Sequence, residues 1–158
     1  MALKHLIAAF LSMSLAVPAA AQPDAGRAAA EIFAQEIDAD GDGVISDTEL
    51  QGFGDSVFAS IDLDGDGAMS EEEMRDWRFG MSDLAEFRER TQAYDTAVAM
   101  AFDIFDRDND SAVSPDEHAA AIQASADYAD LDGDGALSIP EYLDGFIFNV
   151  AMRSALVP

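Results

Sequence analysis

One twelve-residue pattern occurs four times in the chain, beginning at Asp38, Asp62, Asp106 and Asp130; we call the copies loops one to four. Each copy has Asp at positions 1, 3 and 5, an apolar residue at position 8, Ser at position 9 and Glu at position 12. Alternate Asp residues in a tight loop bring several carboxylates into one small volume, which suits a hard cation taking about six to eight oxygen ligands. The pattern predicts four sites for a hard cation, whose carboxylate ligands would be Asp38, Asp40, Asp42, Glu49, Asp62, Asp64, Asp66, Glu73, Asp106, Asp108, Asp110, Glu117, Asp130, Asp132, Asp134 and Glu141.

An alternative explanation is that these acids belong to solvated faces that fall into register by chance. The chain has 32 acidic residues among 158, and at that density a single chance match is conceivable. Four matches in register are not, since half of the 32 acids occupy the ligand positions. We therefore interpret the pattern as a set of cation sites, in which one individual loop could still be degenerate.

The pattern resembles the calcium loop of the EF-hand family, and the resemblance covers nearly all of the chain after its first 21 residues. It implies an all-α fold of EF-hand helix–loop–helix repeats, arranged as two related halves with four calcium loops, and up to four bound Ca²⁺ ions. It also implies that the Glu at position 12 binds through both oxygens and that Ser at position 9 acts directly or through water. The residue at position 7 would offer only its backbone carbonyl, which gives Val44, Ala68, Ala112 and Ala136 as further ligands.

A second signal concerns the helix that follows each loop. Ser46, Ser70, Ser114 and Ser138 each precede the terminal Glu of their loop by three residues, which is the S-x-x-E capping box. The Ser side chain satisfies an otherwise free N–H in the first turn, and the Glu can reach back to the cap. Each loop is therefore expected to begin a helix.

Loop three departs from the pattern at position 6, where it has Ser111 and the other loops have Gly. The turn there needs a positive φ, which a residue with a Cβ adopts at a cost of about 1 to 2 kcal/mol. Arg107 and Asn109 do not replace any ligand position. We expect loop three to keep its ligands and to bind calcium most weakly.

The spacing of the loops also departs from the familiar EF-hand arrangement. Only twelve residues separate loop one from loop two, and the same number separates loop three from loop four. Twelve helical residues span about 18 Å, which is enough for one shared helix but not for two helices and a turn. A shared helix would put its two loops at opposite ends and force pairing with loops of the other half. An apolar stripe through 50–61 favours this arrangement, while Gly52 and Gly54 argue against it.

The chain divides into two predicted halves, 22–82 with the loops at 38–49 and 62–73, and 83–158 with the loops at 106–117 and 130–141. A long helix is expected from about Asp83 into loop three, and a matching helix after loop four. Both should bury an apolar stripe as ordinary core rather than as a ligand cleft. The stripe residues are Leu84, Phe87, Tyr94, Val98, Phe102 and Phe105 in the first helix, and Tyr142, Leu143, Phe146, Ile147 and Val150 in the second.

The first residues have the features of a secretory signal peptide at 1–21. Lys4 and His5 precede an apolar run at 6–17 and the small residues at 19–21, which predicts cleavage after Ala21. The apolar run is too short to span a bilayer, so no membrane span is expected after cleavage. The alternative is an uncleaved N-terminal anchor. We predict a periplasmic or secreted protein of the bacterial exported EF-hand type.

Composition excludes several other functions. With 8 Lys+Arg against 32 Asp+Glu and a formal charge of -24, the chain lacks the basic clusters that nucleic acids require, and an anionic membrane surface is disfavoured. The chain has no Cys, and one His remains after the signal peptide, His118, which we expect to face solvent. Because no nucleophile and base pair is evident, enzyme activity is not expected. Hydrophobic residues make up 49% of the chain, enough for a folded core.

Two binding roles remain open at this point. The protein could act as a calcium buffer or as a module that calcium stabilises, and its ligands would then be calcium ions alone. It could instead be a sensor or adaptor that exposes an apolar groove on binding calcium and captures a protein partner. Selectivity for calcium over magnesium is expected in either role, because a bidentate Glu in a flexible ring of oxygens suits the larger ion.

Overall fold

A computed structural model describes residues 25–77 and 80–156. The predicted signal peptide at 1–21 lies outside the described residues. In the described part the chain forms eight helices and two short strands, in the order α1 Ala25–Ile37, β1 Val44–Ser46, α2 Asp47–Ile61, α3 Glu71–Asp76, α4 Gly80–Phe87, α5 Thr91–Phe105, α6 Pro115–Ala129, β2 Ala136–Ser138, α7 Ile139–Gly145 and α8 Ile147–Ala155. The predicted all-α EF-hand architecture is confirmed. None of the described helices combines the length and the apolar character that a membrane crossing requires.

The two twelve-residue connections are continuous helices. Helix α2 joins loop one to loop two, and helix α6 joins loop three to loop four. The two helices pack against each other, and Gly54 lies buried at their contact, where an added Cβ would be 3.5 Å from Cε1 of His118. Gly54 therefore does not interrupt the helix, and an added Cβ there would make only an ordinary van der Waals contact. The shared-helix interpretation is confirmed.

The loops pair across the two predicted halves. Strand β1 of loop one pairs antiparallel with β2 of loop four, with Ile45 opposite Leu137 at the centre. Loops two and three meet through one isolated bridge, in which the N–H of Met69 donates to the carbonyl of Val113 at 2.9 Å and the reverse bond is 2.8 Å. We call loops one and four the outer pair and loops two and three the inner pair.

A hydrophobic cluster lies beneath each pair. The position-8 side chains are among the least exposed of the chain: Ile45 is 1%, Met69 0%, Val113 0% and Leu137 2% exposed. Burial of such a side chain stabilises a fold by about 1.5 to 3 kcal/mol. Leu50 and Leu143 join the cluster of the outer pair. Phe58, Phe102 and Phe105 join that of the inner pair. The apolar residue at position 8 thus ties each loop to the core.

The prediction of one long helix from about Asp83 into loop three is wrong, because the chain turns between α4 and α5. Glu89 has a φ of 56° at this turn, and the N–H of Arg90 donates to the carbonyl of Ala85 at 2.8 Å. The turn changes the direction of the chain, so Phe87 is 86% exposed rather than buried in the predicted stripe. The other five residues of that stripe, including Tyr94, are buried or half-buried.

The prediction of a single helix after loop four is also wrong. The chain forms two helices there, α7 and α8, which meet at Phe146. The side chain of Asn149 stabilises the break, since its Nδ2 donates to the carbonyls of Tyr142 at 3.1 Å and Leu143 at 3.5 Å. These carbonyls lie in the last turn of α7, where backbone carbonyls have no partner within the helix, and Nη2 of Arg153 also donates to that of Leu143. The change of direction leaves Ile147 46% exposed, which contradicts its predicted place in the buried stripe.

Candidate metal centre

Each loop folds around the Asp at its first position. In loop one, Oδ1 of Asp38 accepts from the N–H groups of Gly41 at 2.8 Å and Asp42 at 3.1 Å. Oδ2 of the same residue accepts from Gly43 at 3.0 Å. Asp62 and Asp130 make the corresponding three bonds in loops two and four. The first carboxylate therefore shapes the backbone that brings the later ligands to it.

The Glu at position 12 closes each loop from the opposite side. In loop one, Oε1 of Glu49 accepts from the N–H of Ala39 at 2.9 Å, while Oε2 accepts from the N–H of Ser46 at 2.9 Å and from its hydroxyl at 2.7 Å. The Ser46 hydroxyl in turn accepts from the N–H of Glu49 at 3.3 Å. All four loops have this reciprocal capping box. The predicted caps are confirmed, and the same Glu links loop geometry to the start of the next helix.

The carboxylates converge in every loop. One oxygen from each of three acids lies within 4.8 Å of the others, and these groups are Asp38, Asp40 and Glu49; Asp62, Asp64 and Asp66; Asp106, Asp108 and Glu117; and Asp130, Asp132 and Glu141. A cluster of oxygen ligands without sulfur or imidazole suits a hard ion such as Ca²⁺. Acidic groups also cluster on protein surfaces that bind no metal. The loop geometry and the fourfold repetition distinguish these four clusters from such surfaces.

Four of the predicted carboxylates fall outside these groups of three: Asp42, Glu73, Asp110 and Asp134. They lie in the same loops and accept backbone hydrogen bonds there. Oδ1 of Asp42 accepts from the N–H of Val44 at 2.9 Å, and Oε1 of Glu73 accepts from the N–H of Leu63 at 2.9 Å. Their role as ligands stays a prediction.

The four predicted carbonyl donors lie where the loops meet their partners. Val44 and Ala136 are the first residues of β1 and β2. Ala68 and Ala112 directly precede the Met69–Val113 bridge. Pairing therefore fixes the backbone next to each of these carbonyls.

Hydrogen bonding keeps the terminal Glu residues ionised. Bonds from the backbone N–H of the cap, and next from its hydroxyl, lower the pKa of Glu73 and of Glu117 to about 2. The same two donors lower the pKa of Glu49, and in Glu141 the hydroxyl of Ser138 contributes most to the lowered pKa. A carboxylate must be deprotonated to bind a metal, so the predicted ligand at position 12 of each loop is in the competent form over a wide range of pH.

Repulsion between like charges is visible in loop four. The nearby charge of Asp134 raises the pKa of Asp132, with a smaller contribution from burial. A divalent cation among these carboxylates would remove this unfavourable interaction.

Loop three reaches the same backbone shape with different residues. Ser111 at position 6 has a φ of 72°, where the glycines of the other loops have values of 86° to 89°. The predicted positive φ of Ser111 is confirmed. Asn109 at position 4 has a φ of 59° as well, which the sequence reasoning missed. Because position 4 is Gly in the other three loops, a comparison of the copies could have found it.

His118 does not face solvent, so that prediction is wrong. The side chain is 4% exposed and stacks on Phe105, with ring centroids 5.1 Å apart, and it meets Phe58 edge-on at 5.6 Å. Burial lowers its pKa to about 4, against a smaller opposing effect of Asp55. The residue directly follows the terminal Glu of loop three, and the same position holds Leu50, Met74 and Tyr142 in the other loops. That apolar position was the signal for a core residue.

Comparison with known families agrees with the geometry. The family model for the EF hand matches residues 35–54, 53–76 and 127–147, which contain loops one, two and four. Loop three is not among the matched segments, in keeping with its Asn and Ser at the two glycine positions. No curated protein sequence matches the chain. The matches and the acidic clusters together support an EF-hand calcium-binding protein.

Proposed function

We propose that the four loops together bind up to four calcium ions, and that the protein serves outside the cytoplasm as a calcium buffer or a calcium-stabilised module. One observation carries the proposal. In loops one, three and four the Glu that converges with the other acids also caps the next helix, and Glu73 caps the helix after loop two. In all four copies Oε2 of this Glu accepts from the N–H of the cap Ser at 2.9 Å. An ion that orders the Glu would therefore order the helix as well.

Electrostatics supports a role for the ions in stability. The chain has a formal charge of -24, and 20 of its 32 acids lie in the four twelve-residue loops. Such repulsion destabilises a compact state unless cations neutralise it. At a free calcium concentration of about 1,000 times Kd, binding adds roughly 4.1 kcal/mol per site to the free energy of unfolding. Several occupied sites would then dominate the stability of this small domain.

A count of four ions, rather than three, depends on loop three. Asp106, Asp108 and Glu117 bring one oxygen each within 4.8 Å of the others. Oε1 of Glu117 accepts from the N–H of Arg107 at 3.0 Å, as the corresponding Glu does in the other loops. Loop three thus keeps the ligands and the closing contact despite its substituted glycine positions.

The test combines calorimetry with thermal unfolding of the mature protein. We expect titration with calcium to give four bound ions, weaker binding of magnesium, and a large rise in Tm that a chelator reverses. Asp103→Asn on the exposed side of α5 is the matched control for removal of one acid outside the loops. Unchanged Tm with and without calcium would overturn the stabilised-module role and leave a buffer. Calcium-dependent binding of an apolar dye would instead favour a sensor with a protein partner.

Export and a non-catalytic role are parts of the same proposal. The features of residues 1–21 support cleavage before Gln22, which N-terminal sequencing of the exported form would test. Recovery of Met1 in a membrane fraction would contradict it. The acids that could do catalytic chemistry are concentrated at ligand positions of the loops, so we propose that the protein binds ions without turning over a substrate.

A further inference from the structure

An apolar cavity of about 180 Å³ is lined by residues of both hydrophobic clusters. None of the predicted calcium ligands lines it, although several lining residues directly adjoin them in sequence. Helices α2, α5 and α8 each contribute to its wall, and representative residues are Val57, Ala101 and Met152. Trp77 also lines the cavity and is half-buried, as are Phe53 and Met74. The half-buried residues place one side of the cavity at the surface, where a small molecule could enter.

One polar side chain in the cavity wall lacks a partner. Asn149 is 7% exposed, and its Oδ1 is buried without a hydrogen bond among the described residues. The orientation of the amide follows from its other contacts, because Nδ2 faces the carbonyls of Tyr142 and Leu143 and only a donor can satisfy both. Oδ1 is therefore an acceptor held in place next to an apolar space. A buried acceptor without a donor is rare in folded proteins, so Oδ1 of Asn149 is available to accept a hydrogen bond from a ligand or a water.

The cavity restricts what that partner can be. An apolar cavity of about 150 Å³ is large enough to bind benzene, so about 180 Å³ accommodates one six-membered ring with a small substituent. The wall is formed by aliphatic and aromatic side chains together with Asn149 and His118, and it includes no Arg, Lys, Asp or Glu. Burial lowers the pKa of His118 to about 4, so its imidazole is neutral near pH 7. A charged ligand such as a fatty acid carboxylate would be desolvated there without a counter-ion. The fitting occupant is neutral, aromatic and small, with one hydrogen-bond donor.

We propose that this cavity is a binding site for small neutral aromatic molecules of the phenol class, whose hydroxyl donates to Oδ1 of Asn149. The site uses none of the predicted calcium ligands and goes beyond the proposed calcium function. The ring replaces empty space with contacts to the wall, and the hydroxyl satisfies the acceptor. Benzene lacks the donor and fills the same space without that bond.

The experiment measures binding of phenol and benzene to the mature protein in the presence of calcium. Trp77 is the only Trp of the chain and lines the cavity, so its fluorescence reports occupancy when excited at the red edge of its absorption, where phenol does not absorb. Calorimetry gives the stoichiometry independently. We expect one phenol per chain, and a saturable change of Trp77 emission.

Two variants separate the contribution of the hydrogen bond from that of the cavity. Asn149→Leu should weaken phenol by about tenfold, which corresponds to one hydrogen bond, and change benzene by less than about twofold. Ala101→Leu leaves Asn149 in place and fills the cavity, since Ala101 is 3% exposed and lines it, so binding of both molecules should be lost. Ala119→Leu makes the same change on an exposed face of α6 and should alter neither.

Several results would overturn the proposal. They are the absence of saturable phenol binding, phenol binding that survives Ala101→Leu, or an equal loss of phenol and benzene in Asn149→Leu. Binding of an amphipathic helical peptide that Ala101→Leu blocks, without phenol binding, would assign the cavity to a protein partner instead. Ala101→Leu keeps the test decisive if Asn149→Leu fails to fold, and the readout does not depend on the number of calcium ions bound.

Discussion

The outer and inner pairs are built from the same twelve-residue pattern, yet they differ in how firmly the loops are joined. The outer pair has two strands with three residue pairs in register, while the inner pair has the single Met69–Val113 bridge. Both loops of the outer pair have Gly at the positions of positive φ, whereas loop three of the inner pair has Asn109 and Ser111 there. Loops with the same predicted ligand positions can therefore differ in how easily their backbones close around an ion.

The helices that leave the two pairs show the same contrast. Helix α7 of loop four ends at Gly145, where an added Cβ would be only 3.1 Å from Cα of Ala129 on α6. The corresponding residue after loop two is Trp77, which is half-buried and borders the cavity. The outer pair is thus closed by a tight backbone contact. The inner pair is closed by large side chains that leave space between them.

The largest expected difference between the pairs concerns loss of a closing ligand. We expect Glu141→Gln in loop four to weaken calcium binding at that site by more than about 100-fold. Even a group that only hydrogen-bonds to a metal ligand typically contributes about 10- to 100-fold to metal affinity. Glu117→Gln in loop three should remove a site that is already weak and lower the calcium-loaded Tm less. Calorimetry and thermal unfolding of the two variants measure both effects. An equal loss of Tm would contradict the assignment of the outer pair as the stronger one.

A buried imidazole gives the inner pair a dependence on pH that the outer pair lacks. The pKa of His118 is about 4 in the folded protein, against an ordinary value of 6.5. The unfolded chain therefore binds the proton first, and stability that is fully present above pH 6.5 is lost as the pH falls towards 4. At 1.36 kcal/mol per unit, acidification from pH 6.5 to about 5 should cost about 2 kcal/mol.

The control for this prediction copies the outer pair. His118→Leu introduces the residue that loop one has at the same position, Leu50. Chemical unfolding of both proteins at several pH values, in excess calcium, gives the two slopes. The variant should lose the extra slope in this window, where the carboxylates contribute equally to both proteins. Parallel slopes would show that His118 is not desolvated.

The tight contact of Gly145 gives the next prediction. An added Cβ would lie 3.0 Å from Cβ of Ala129 and 3.1 Å from its Cα, so Gly145→Ala must shift backbone rather than a flexible side chain. Overpacking of this kind costs about 1 to 3 kcal/mol, offset in part by the helical preference of Ala. Gly52→Ala in α2 is the matched control, since nothing lies within 4 Å of that Cβ. It should gain about 0.5 to 1 kcal/mol. Urea unfolding distinguishes the two.

The sequence was sufficient wherever the structure depends on neighbours along the chain. The acidic loops, their Ser caps and the shared helices α2 and α6 could be predicted because their residues contact partners within about twelve positions. Pairing across the two halves followed from the length of a shared helix, but the sequence did not predict which loops pair with each other. The burial of His118 was missed because solvent exposure was judged from one residue rather than from its equivalents Leu50 and Tyr142, which are 3% and 5% exposed.

The remaining errors have a tertiary cause. The residue type of Glu89 does not indicate a φ of 56°. The turn is closed by the local bond from the N–H of Arg90 to the carbonyl of Ala85, and contacts distant in sequence hold it as well. The guanidinium groups of Arg88 and Arg90 donate to the carbonyls of Leu156 at 3.2 Å and Ala155 at 3.3 Å. The apolar pattern alone favoured a continuous helix, and Phe87 was placed in the core on that basis. In the structure the helix is interrupted, and the turn is held by contacts between residues some 65 positions apart.

The smallest expected effect tests the backbone difference between the pairs directly. Ser111 has a φ of 72° in loop three, and Gly135 has a φ of 86° at the same position of loop four. A residue with a Cβ adopts this conformation at a cost of about 1 to 2 kcal/mol, which corresponds to a roughly five- to thirty-fold weaker site. We expect Ser111→Gly to tighten calcium binding at loop three by up to that factor. Gly135→Ser should weaken loop four by a comparable amount.

Coupling within the pairs determines how much of this effect a titration shows. The single bridge of the inner pair shares less ordering between its loops than the three residue pairs of the outer pair, so the gain from Ser111→Gly should be confined to one site. In Gly135→Ser the registered strands should spread part of the loss to loop one. Asn109 also has a positive φ, of 59°, but Asn tolerates this conformation well, so Asn109→Gly should change affinity less than Ser111→Gly. If Ser111→Gly leaves every affinity unchanged while loop three is occupied, backbone strain does not explain the weakness of that loop.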